Sequence, residues 1–333
     1  MSEAFIEVHD VKKAFRITKR EQGILSTMKS MVKPSYELKK AVDGVSFQIQ
    51  QGEMVGFIGP NGSGKSTTVK MLSGILHPDS GTIRVAGFIP YQDRKKYVSH
   101  IGVVFGQKSQ LAWDLPVIES FDLLKYIYRI PEQTYQDNLE RFVTRLEMSE
   151  FLNQPVRQLS LGQRMRADIV AALLHSPQIV FFDEPTIGVD VVGKERIREF
   201  IVELNRTEKI TMLFTTHDMQ DIEKTCKRIM IIDNGKEIYD GNIATIKERF
   251  GNERTLELLL DNDMEVSPIK DVNVTNLKEQ KRRGFRLEFD KNKVSMDELM
   301  KQLFSQYPIK DMSMAEPQIE SIIRKIYEGG VVL

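Results

Sequence analysis

Residues 59–66 form a glycine-rich motif that strongly constrains how this chain can fold. The segment has the sequence Gly-Pro-Asn-Gly-Ser-Gly-Lys-Ser and matches the pattern G-x-x-x-x-G-K-[ST]. The apolar run Met54–Ile58 before it predicts a buried strand, and residues 67–75 after it predict a helix. Glycines let successive backbone N–H groups point inward, and the helix N-terminus adds partial positive charge. A strand, this loop and a helix in that order predict a binding site for the phosphates of a nucleotide.

Two side chains of this loop have individual roles in such a site. The ammonium of Lys65 is expected to contact the β- and γ-phosphates, and the hydroxyl of Ser66 is expected to coordinate Mg²⁺. The predicted phosphate-binding set is Gly59, Pro60, Asn61, Gly62, Ser63, Gly64, Lys65, Ser66 and Thr67. The loop alone does not distinguish kinases, GTPases and motor ATPases.

Composition limits the partners of the chain. Lys and Arg together number 47, as do Asp and Glu, so the net charge is zero and we expect no nucleic-acid partner. The single cysteine, Cys226, cannot form an internal disulfide, which fits a reducing cytoplasm. No apolar run approaches the roughly 18–20 residues that span a bilayer, and the acidic N-terminal residues are unlike a signal peptide. If the chain works at a membrane, we expect another component to anchor it.

The order of predicted elements indicates two domains in 333 residues. Residues 1–250 alternate short β-branched strands with helices, which is typical of an α/β protein with a largely parallel sheet. Within them, residues 110–176 predict an inserted helical subdomain. Residues 251–333 combine alternating strand patterns with amphipathic helices, which predicts a small α+β accessory domain.

Residues 16–40 form a basic insertion ahead of the phosphate loop. They hold seven Lys or Arg residues against two acids, and an apolar stripe within them follows helical spacing. The stripe consists of Ile24, Leu25, Met28, Met31 and Val32. A basic amphipathic helix can lie on a membrane surface, and it can equally pack its stripe onto a neighbouring sheet. Both alternatives stay open from the sequence.

A second motif lies downstream, where an apolar strand ends in two carboxylates. Residues 179–184 have the sequence Ile-Val-Phe-Phe-Asp-Glu. Asp183 is expected to hold Mg²⁺. Glu184 is expected to polarise the water that attacks the γ-phosphate, because in-line hydrolysis needs an oriented nucleophile. Together with the phosphate loop, this pair favours a nucleotide hydrolase.

The order of further motifs resembles the ATP-binding cassette (ABC) ATPases. Residues 159–163 have the sequence Leu-Ser-Leu-Gly-Gln where that family has the signature Leu-Ser-Gly-Gly-Gln, and residues 187–190 match its D-loop. Gln107 stands at the Q-loop position and His217 at that of the switch histidine. The resemblance covers residues 5 to about 245. It implies an α/β P-loop NTPase cassette with a mixed sheet core and a helical subdomain, followed here by the small C-terminal α+β domain.

The resemblance also implies a mechanism with ATP and Mg²⁺ as cofactors. Two cassettes of this family pair head to tail, so a second copy of the chain is the expected partner, in a homodimer with two competent sites. Ser160 and the N–H of Gly162 would complete the partner's γ-phosphate site, and Gln163 and Asp190 would belong to the same composite site. Leu161 replaces a usual glycine and is expected to be tolerated. The implied catalytic residues are Glu184, His217 and Gln107, and the implied Mg²⁺ residues are Ser66, Gln107 and Asp183.

An aromatic residue against the adenine ring is a further implication of the resemblance. Phe15, in the sequence Lys-Ala-Phe, fits the expected position near the first strand. Tyr36 is the second candidate, because the basic insertion displaces the usual spacing. Phe15 is the predicted base-stacking residue.

The remaining motifs bear on what the ATPase drives. One phosphate loop, one signature and no sustained coiled coil favour a transporter subunit over a soluble ABC ATPase acting on ribosomes or DNA. Residues 104–116 resemble exporter-type ATPases similar to the daunorubicin and viologen exporter subunits, with Leu111, Trp113 and Leu115 expected to be exposed for a permease helix. The insertion also resembles ATPases that export lipid-linked glycans. We therefore expect a peripheral exporter subunit on the cytoplasmic face of the cell membrane, bound to a separate integral membrane permease.

Overall fold

The computed structural model describes residues 4–18, 36–106, 108–216, 218–261, 264–279, 282–315 and 319–327. The chain divides into two compact units, Met1–Asp240 and Gly241–Leu333. This division lies ahead of the boundary that composition predicts at residue 250. Gln107, His217 and the apolar stripe of the basic insertion fall outside the described residues, so the roles assigned to them stay predictions.

The first unit contains nine described strands and seven described α-helices. The strands are β1 (Ile6–Thr18), β2 (Tyr36–Ile49), β3 (Met54–Ile58), β4 (Ser80–Val85), β5 (Ile101–Phe105), β6 (Ile179–Asp183), β7 (Thr211–Thr215), β8 (Arg228–Asp233) and β9 (Lys236–Asn242). The α-helices are α1 (Lys65–Leu72), α2 (Arg94–Tyr97), α3 (Val117–Tyr128), α4 (Glu132–Arg145), α5 (Leu161–Leu173), α6 (Val191–Glu208) and α7 (Met219–Thr225). Short 3-10 turns lie at Val98–His100 and Val156–Gln158.

A six-stranded sheet forms the centre of this unit, in the order β5-β6-β7-β3-β8-β9. Its first five strands pair in parallel. Every residue of β3 and β7 is buried, as expected where a parallel sheet is covered on both faces. Because the carboxyl ends of parallel strands meet at one edge, the segments that follow β3 and β6 are brought together there. The α/β prediction is confirmed.

A three-stranded antiparallel sheet lies beside it, in the order β2-β1-β4. Its first two strands extend into the basic insertion, where their pairing continues through Phe15 with Lys39 and Thr18 with Tyr36. The outer residues of the basic insertion, 16–18 and 36–40, are therefore strand residues. Pairing with each other satisfies those of their backbone N–H and C=O groups that face the partner strand.

The predicted helical subdomain contains α3, α4 and α5. Its core includes the fully buried rings of Phe121, Tyr135, Phe142 and Phe151. A guanidinium links its parts, because Arg166 on α5 donates to the carbonyl oxygen of Leu146 at 2.7 Å. No helix in the described ranges is long and apolar enough to cross a membrane.

The described residues of the second unit form a four-stranded antiparallel sheet and three helices. The strands are β10 (Glu253–Leu260), β11 (Val272–Glu279), β12 (Arg282–Asp290) and β13 (Ile309–Ala315), in the order β11-β12-β10-β13. The helices are α8 (Ile243–Phe250), α9 (Met296–Gln306) and α10 (Ile319–Tyr327). Alternate residues of β10 and β12 are buried with Leu299 and Leu303 of α9, which is the period that the sequence pattern predicts.

Candidate functional site: the phosphate loop and its surroundings

Residues 59–64 connect β3 to α1 through a backbone turn that requires glycine. Gly62 and Gly64 have φ angles of +84° and +112°, a region that side chains disfavour. A Cβ on Gly64 would lie only 2.3 Å from the carbonyl oxygen of Ala41. The turn therefore passes close to β2 and leads directly into α1, whose N-terminal N–H groups can bind an anion.

The turn between β8 and β9 contacts the phosphate loop through a backbone hydrogen bond. The N–H of Gly235 donates to the carbonyl oxygen of Ser63 at 2.9 Å, and its own carbonyl oxygen accepts from the N–H of Asp43 at 2.8 Å. Gly235 has a φ of +76°, and a Cβ there would lie 3.0 Å from the carbonyl oxygen of Ala41. Sequence reasoning missed this support, because Asn234-Gly235 signals only a turn and not what the turn contacts.

The side chain of Lys65 folds back onto the first two residues of the phosphate loop. Its ammonium donates to the carbonyl oxygens of Gly59 at 2.6 Å and of Pro60 at 3.1 Å. Burial lowers the pKa of this ammonium, and the nearby carboxylates of Glu184 and Asp183 act in the opposite direction. A buried cation beside an anion-binding turn is suited to phosphate oxygens.

Asp183 and Ser66 form an oxygen pair that fits Mg²⁺. The hydroxyl of Ser66 donates to Oδ1 of Asp183 at 3.1 Å, and the hydroxyl of Thr215 at the end of β7 donates to the same oxygen at 2.7 Å. Among the described residues no group of three or more His, Cys, Asp or Glu side chains could hold a metal ion. A hydroxyl and one carboxylate suit Mg²⁺, which keeps waters and takes its other ligands from substrate phosphates.

Glu184 lies in a constrained backbone position beside this pair. It has a φ of +58°, an unusual value for a residue with a side chain, and its N–H donates to the carbonyl oxygen of Thr215 at 2.9 Å. A Cβ on Gly106 would lie 2.3 Å from the carbonyl oxygen of Glu184, so the end of β5 passes directly against it. The ends of both neighbouring strands thus fix the backbone of Glu184, the point from which its carboxylate extends.

Two cavities of about 420 and 300 Å³ meet at the phosphate loop. Both are lined by Asn61, Ser66 and Glu184. The smaller cavity also includes Phe15 and Lys39. Phe15 is therefore placed beside the loop, as the predicted base-stacking position requires, whereas Tyr36 lines neither cavity.

The residues of the predicted signature lie at the N-terminus of α5 and line neither cavity. Ser160 is the N-cap and forms a reciprocal capping box with Gln163. The N–H of Ser160 donates to Oε1 of Gln163 at 2.9 Å, and the N–H of Gln163 donates to the hydroxyl of Ser160 at 3.2 Å. Gln163 therefore has a local structural role in addition to the nucleotide contact predicted for it.

Residues 187–190 pack against the same helix end. Gly188 has a φ of +67°, and a Cβ on it would lie 2.2 Å from Cδ2 of Leu161. The unusual leucine of the signature thus covers Gly188 within one chain. Asp190 is exposed and caps α6, because its Oδ1 accepts from the N–H of Gly193 at 2.8 Å.

Comparison with known proteins identifies the family. The profile described as "ABC transporter" matches residues 42–187. The chain is 34% identical over 209 residues to the ABC transporter ATP-binding protein NatA of Bacillus subtilis, covering 63% of this chain and 85% of NatA. The chain belongs to the ABC transporter family of ATP-binding proteins. It is also 34% identical over 230 residues to the linearmycin resistance ATP-binding protein LnrL of Bacillus subtilis, covering 68% of this chain and 72% of LnrL.

A solved structure confirms the fold of the cassette. A dimeric ATP-binding cassette in a post-hydrolysis state bound to ADP and Pi aligns with a TM-score of 0.60 and 25% identity, covering 72% of this chain and 98% of that chain. The chain is thus an ATPase subunit of a transporter with the P-loop cassette fold. The predictions of family, fold and ATPase activity are confirmed, and the assignment of individual site residues stays a prediction.

The segment after the Q-loop position is only partly exposed. Trp113 and Leu115 have exposed fractions of 53% and 38%, as predicted, but Leu111 is 7% exposed. The prediction for Leu111 is wrong, because the two residues before it, Ser109 and Gln110, donate to the buried Asp168 and hold this part of the segment against α5. The guanidinium of Arg164 lies 5.5 Å from the centre of the Trp113 ring.

Asp168 on α5 anchors this segment and was not singled out from the sequence. Its Oδ1 accepts from the hydroxyl of Ser109 at 2.9 Å and from the N–H of Gln110 at 3.0 Å. Burial raises the pKa of its carboxyl from 3.8 to about 6, although both hydrogen bonds and the charge of Arg164 lower it. The signature helix and the segment after the Q-loop position are therefore joined through one buried carboxylate.

The raised pKa predicts a pH dependence of stability. Between about pH 4 and pH 6 the folded protein binds the Asp168 proton more tightly than the unfolded chain does, so this group lowers the free energy of unfolding as pH rises through that window. Asp168→Asn removes this dependence. The stability of the variant relative to the wild type should therefore rise by up to about 3 kcal/mol from pH 4 to pH 7.

Urea unfolding at several pH values measures this difference. The depressed pKa of His175, about 4, makes both proteins less stable in acid and cancels in the comparison. Asp137→Asn, on the exposed surface of α4, is the matched control and should show no such change. Parallel stability profiles for Asp168→Asn and the wild type would contradict the prediction.

Proposed function

We propose that the chain is the ATP-hydrolysing subunit of an exporter that uses ATP with Mg²⁺, pairs with a second copy of itself and docks on a separate membrane permease. The observation that carries this proposal is the division of the site. The phosphate loop, Asp183 and Glu184 line the cavities, while Ser160 and Gly162 lie at a helix end that lines neither. An ATP site made of both parts needs a partner to bring the second part.

The residues at the loop can act in sequence on ATP. The N–H groups of the loop and of α1 would receive the phosphates, and Lys65 would exchange its carbonyl acceptors for phosphate oxygens. Ser66 and Asp183 would hold Mg²⁺, which when bound neutralises charge on the β- and γ-phosphates. Glu184 would orient a water in line with the γ-phosphate and accept its proton.

A pair of identical chains is the simplest source of the missing part. Each chain carries both a phosphate loop with Glu184 and a signature with Ser160 and Gly162. A head-to-tail pair would therefore contain two complete sites, and a closed pair would exclude water other than the nucleophile. The solved cassette that aligns with this chain is a dimer, which supports pairing of this chain with a second cassette.

The export direction rests on the segment after the Q-loop position and on one relative. Residues 104–116 resemble the same region of exporter-type ATPases, and LnrL is named as a resistance protein, a role that removal of a drug from the cell would serve. A lipid-linked glycan is the alternative cargo that the insertion favours. As the subunit of an exporter, the chain would lie at the cytoplasmic face of the cell membrane.

Reconstitution with a candidate permease, chosen from the reading frames that neighbour this one, tests the proposal directly. Inside-out vesicles that contain both proteins should take up cargo only with ATP and Mg²⁺, and ATP hydrolysis should rise when the permease is present. Uptake into right-side-out vesicles with external binding protein would instead indicate an importer. Failure of the two proteins to copurify would contradict the docking part of the proposal.

The exposed Trp113 predicts how the permease is coupled. Trp113 is 53% exposed and follows a backbone segment that is held by a hydrogen bond to Asp168. It therefore offers an apolar contact for a short permease helix. Trp113→Ala should reduce permease-stimulated hydrolysis and transport at least about tenfold and leave hydrolysis by the isolated subunit unchanged. Phe304→Ala, at a 60% exposed position of α9, is the control for loss of an exposed ring. Unchanged transport by the Trp113→Ala variant would contradict the assignment of Trp113 to the permease contact.

A further inference from the structure

Asp221 is a buried carboxylate outside the site described so far. It lies on α7, is fully buried, and both of its oxygens are engaged. Oδ2 accepts from the hydroxyl of Thr186 at 2.5 Å, and Oδ1 accepts from Nη1 of Arg198 at 2.7 Å. Arg198 on α6 is itself 6% exposed and also contacts the carboxylate of Glu195. We call Thr186, Arg198 and Asp221 the buried triad.

The triad connects the chain on either side of the D-loop segment. Thr186 comes immediately before residues 187–190, and its carbonyl oxygen accepts from the N–H of Val189 at 3.2 Å. Arg198 lies on the helix that begins immediately after them. One carboxylate therefore links the residue that precedes this segment to the helix that follows it. Thr186 is also only two residues from Glu184.

A second link joins the same two helices at their N-terminal ends. The ammonium of Lys194 on α6 donates to Oδ2 of Asp218 at 2.7 Å. Asp218 is the N-cap of α7, since its Oδ1 accepts from the N–H of Gln220. Both links reach α7, the helix that follows β7 and Thr215, the residue that contacts Asp183 and Glu184.

The chemistry of the triad favours a positioning role over a purely stabilising one. A buried ion pair loses much of its Coulomb gain to desolvation, and well-packed apolar residues often stabilise such a position equally well. The hydrogen bonds of a carboxylate and a guanidinium, in contrast, fix distances and directions. A displacement of about 1 Å in a reacting group can cost about a hundredfold in rate, so fixed geometry is valuable next to Glu184.

We propose that Asp221 is a positioning residue for ATP hydrolysis. Through Thr186 and Arg198 it holds residues 187–190 and Glu184 in a fixed position relative to α7. The inference rests on the proposed role of Glu184 as the general base. It assigns no contact with ATP to the triad. Its members should therefore affect the rate of the chemical step and not the affinity for nucleotide.

A pair of substitutions at Thr186 tests this assignment. Thr186→Val keeps the shape of the side chain and removes the hydroxyl that Asp221 accepts from, and Thr186→Ser keeps the hydroxyl. We expect Thr186→Val to lower kcat by about ten- to hundredfold with the Kd for ATP unchanged within about twofold, and Thr186→Ser to restore kcat. Thr207→Val, an exposed threonine on α6 that bonds the carbonyl oxygen of Glu203, is the matched control and should keep the wild-type kcat.

The outcomes separate positioning from stability and from the proposed function itself. Rates are compared at a temperature where thermal unfolding shows that every variant is folded. A Thr186→Val variant with a lower melting temperature but a normal kcat would overturn the inference. A Thr186→Ser variant whose kcat is no higher than that of Thr186→Val would also overturn it. If Thr186→Val does not fold, Arg198→Lys, which keeps the charge but loses the fork to Glu195, must show the same selective loss of kcat. Hydrolysis at the wild-type rate by Glu184→Gln would instead refute the proposed base, whatever the triad variants do.

Discussion

Replacing Glu184 with glutamine is expected to lower the rate of ATP hydrolysis by about 10²- to 10⁴-fold, the range that a general base contributes. The carboxylate lies at the point where the two cavities meet, beside Ser66. The glutamine amide has nearly the same shape but cannot accept a proton from the attacking water. Since the backbone of residue 184 is held by Thr215 and Gly106, the substitution should leave the loop and the Mg²⁺ residues in place.

Phosphate release at saturating ATP measures this loss, and a fluorescent nucleotide measures the retained binding. Without hydrolysis, ATP should hold two copies together, so the Glu184→Gln protein should elute as a dimer with Mg²⁺ and ATP and as a monomer with ADP. Glu199→Gln, at an exposed position of α6, controls for loss of one negative charge. Hydrolysis by Glu184→Gln at the wild-type rate would show that another group is the base, and a monomer in ATP would contradict the paired site.

The sequence predicts the central sheet well because its strands are short, apolar and buried on both faces. The apolar runs of β3, β6 and β7 are typical of a covered parallel sheet, and the loops that follow such strands meet at one edge. The phosphate loop and the two carboxylates at the end of β6 therefore come together as expected. The helical subdomain predicted within residues 110–176 is present as α3, α4 and α5.

Contacts across long stretches of the chain could not be predicted from those patterns. The bond from Gly235 to Ser63, the anchoring of Ser109 by Asp168 and the bond from Thr186 to Asp221 join residues far apart in sequence. A lone buried Asp resembles any other polar residue on an amphipathic helix until its neighbours are known. The burial of Leu111 was missed for the same reason, because an apolar residue in a loop carries no sign of which side it faces.

Replacing Lys65 with methionine should weaken ATP binding strongly, whereas Glu184→Gln should leave ATP binding intact. Hydrogen bonds to a charged group contribute about 1.5–3 kcal/mol each, and 1.4 kcal/mol corresponds to tenfold in affinity, so the loss of one ammonium should weaken ATP binding by at least about 10²-fold. Methionine nearly fills the same volume and should leave α1 folded. The carbonyl oxygens of Gly59 and Pro60 lose their donor, which adds to the cost of forming the loop.

Titration with ATP by calorimetry measures this change, and the melting temperature checks the fold. Lys95→Met, at an exposed position of α2, is the matched control and should bind ATP normally. Because the ammonium contacts phosphates and not the base, the loss should be larger for ATP than for adenosine. A variant that binds ATP as the wild type does would show that the buried ammonium only closes the loop through its two carbonyl contacts, and the phosphate role would pass to the backbone N–H groups alone.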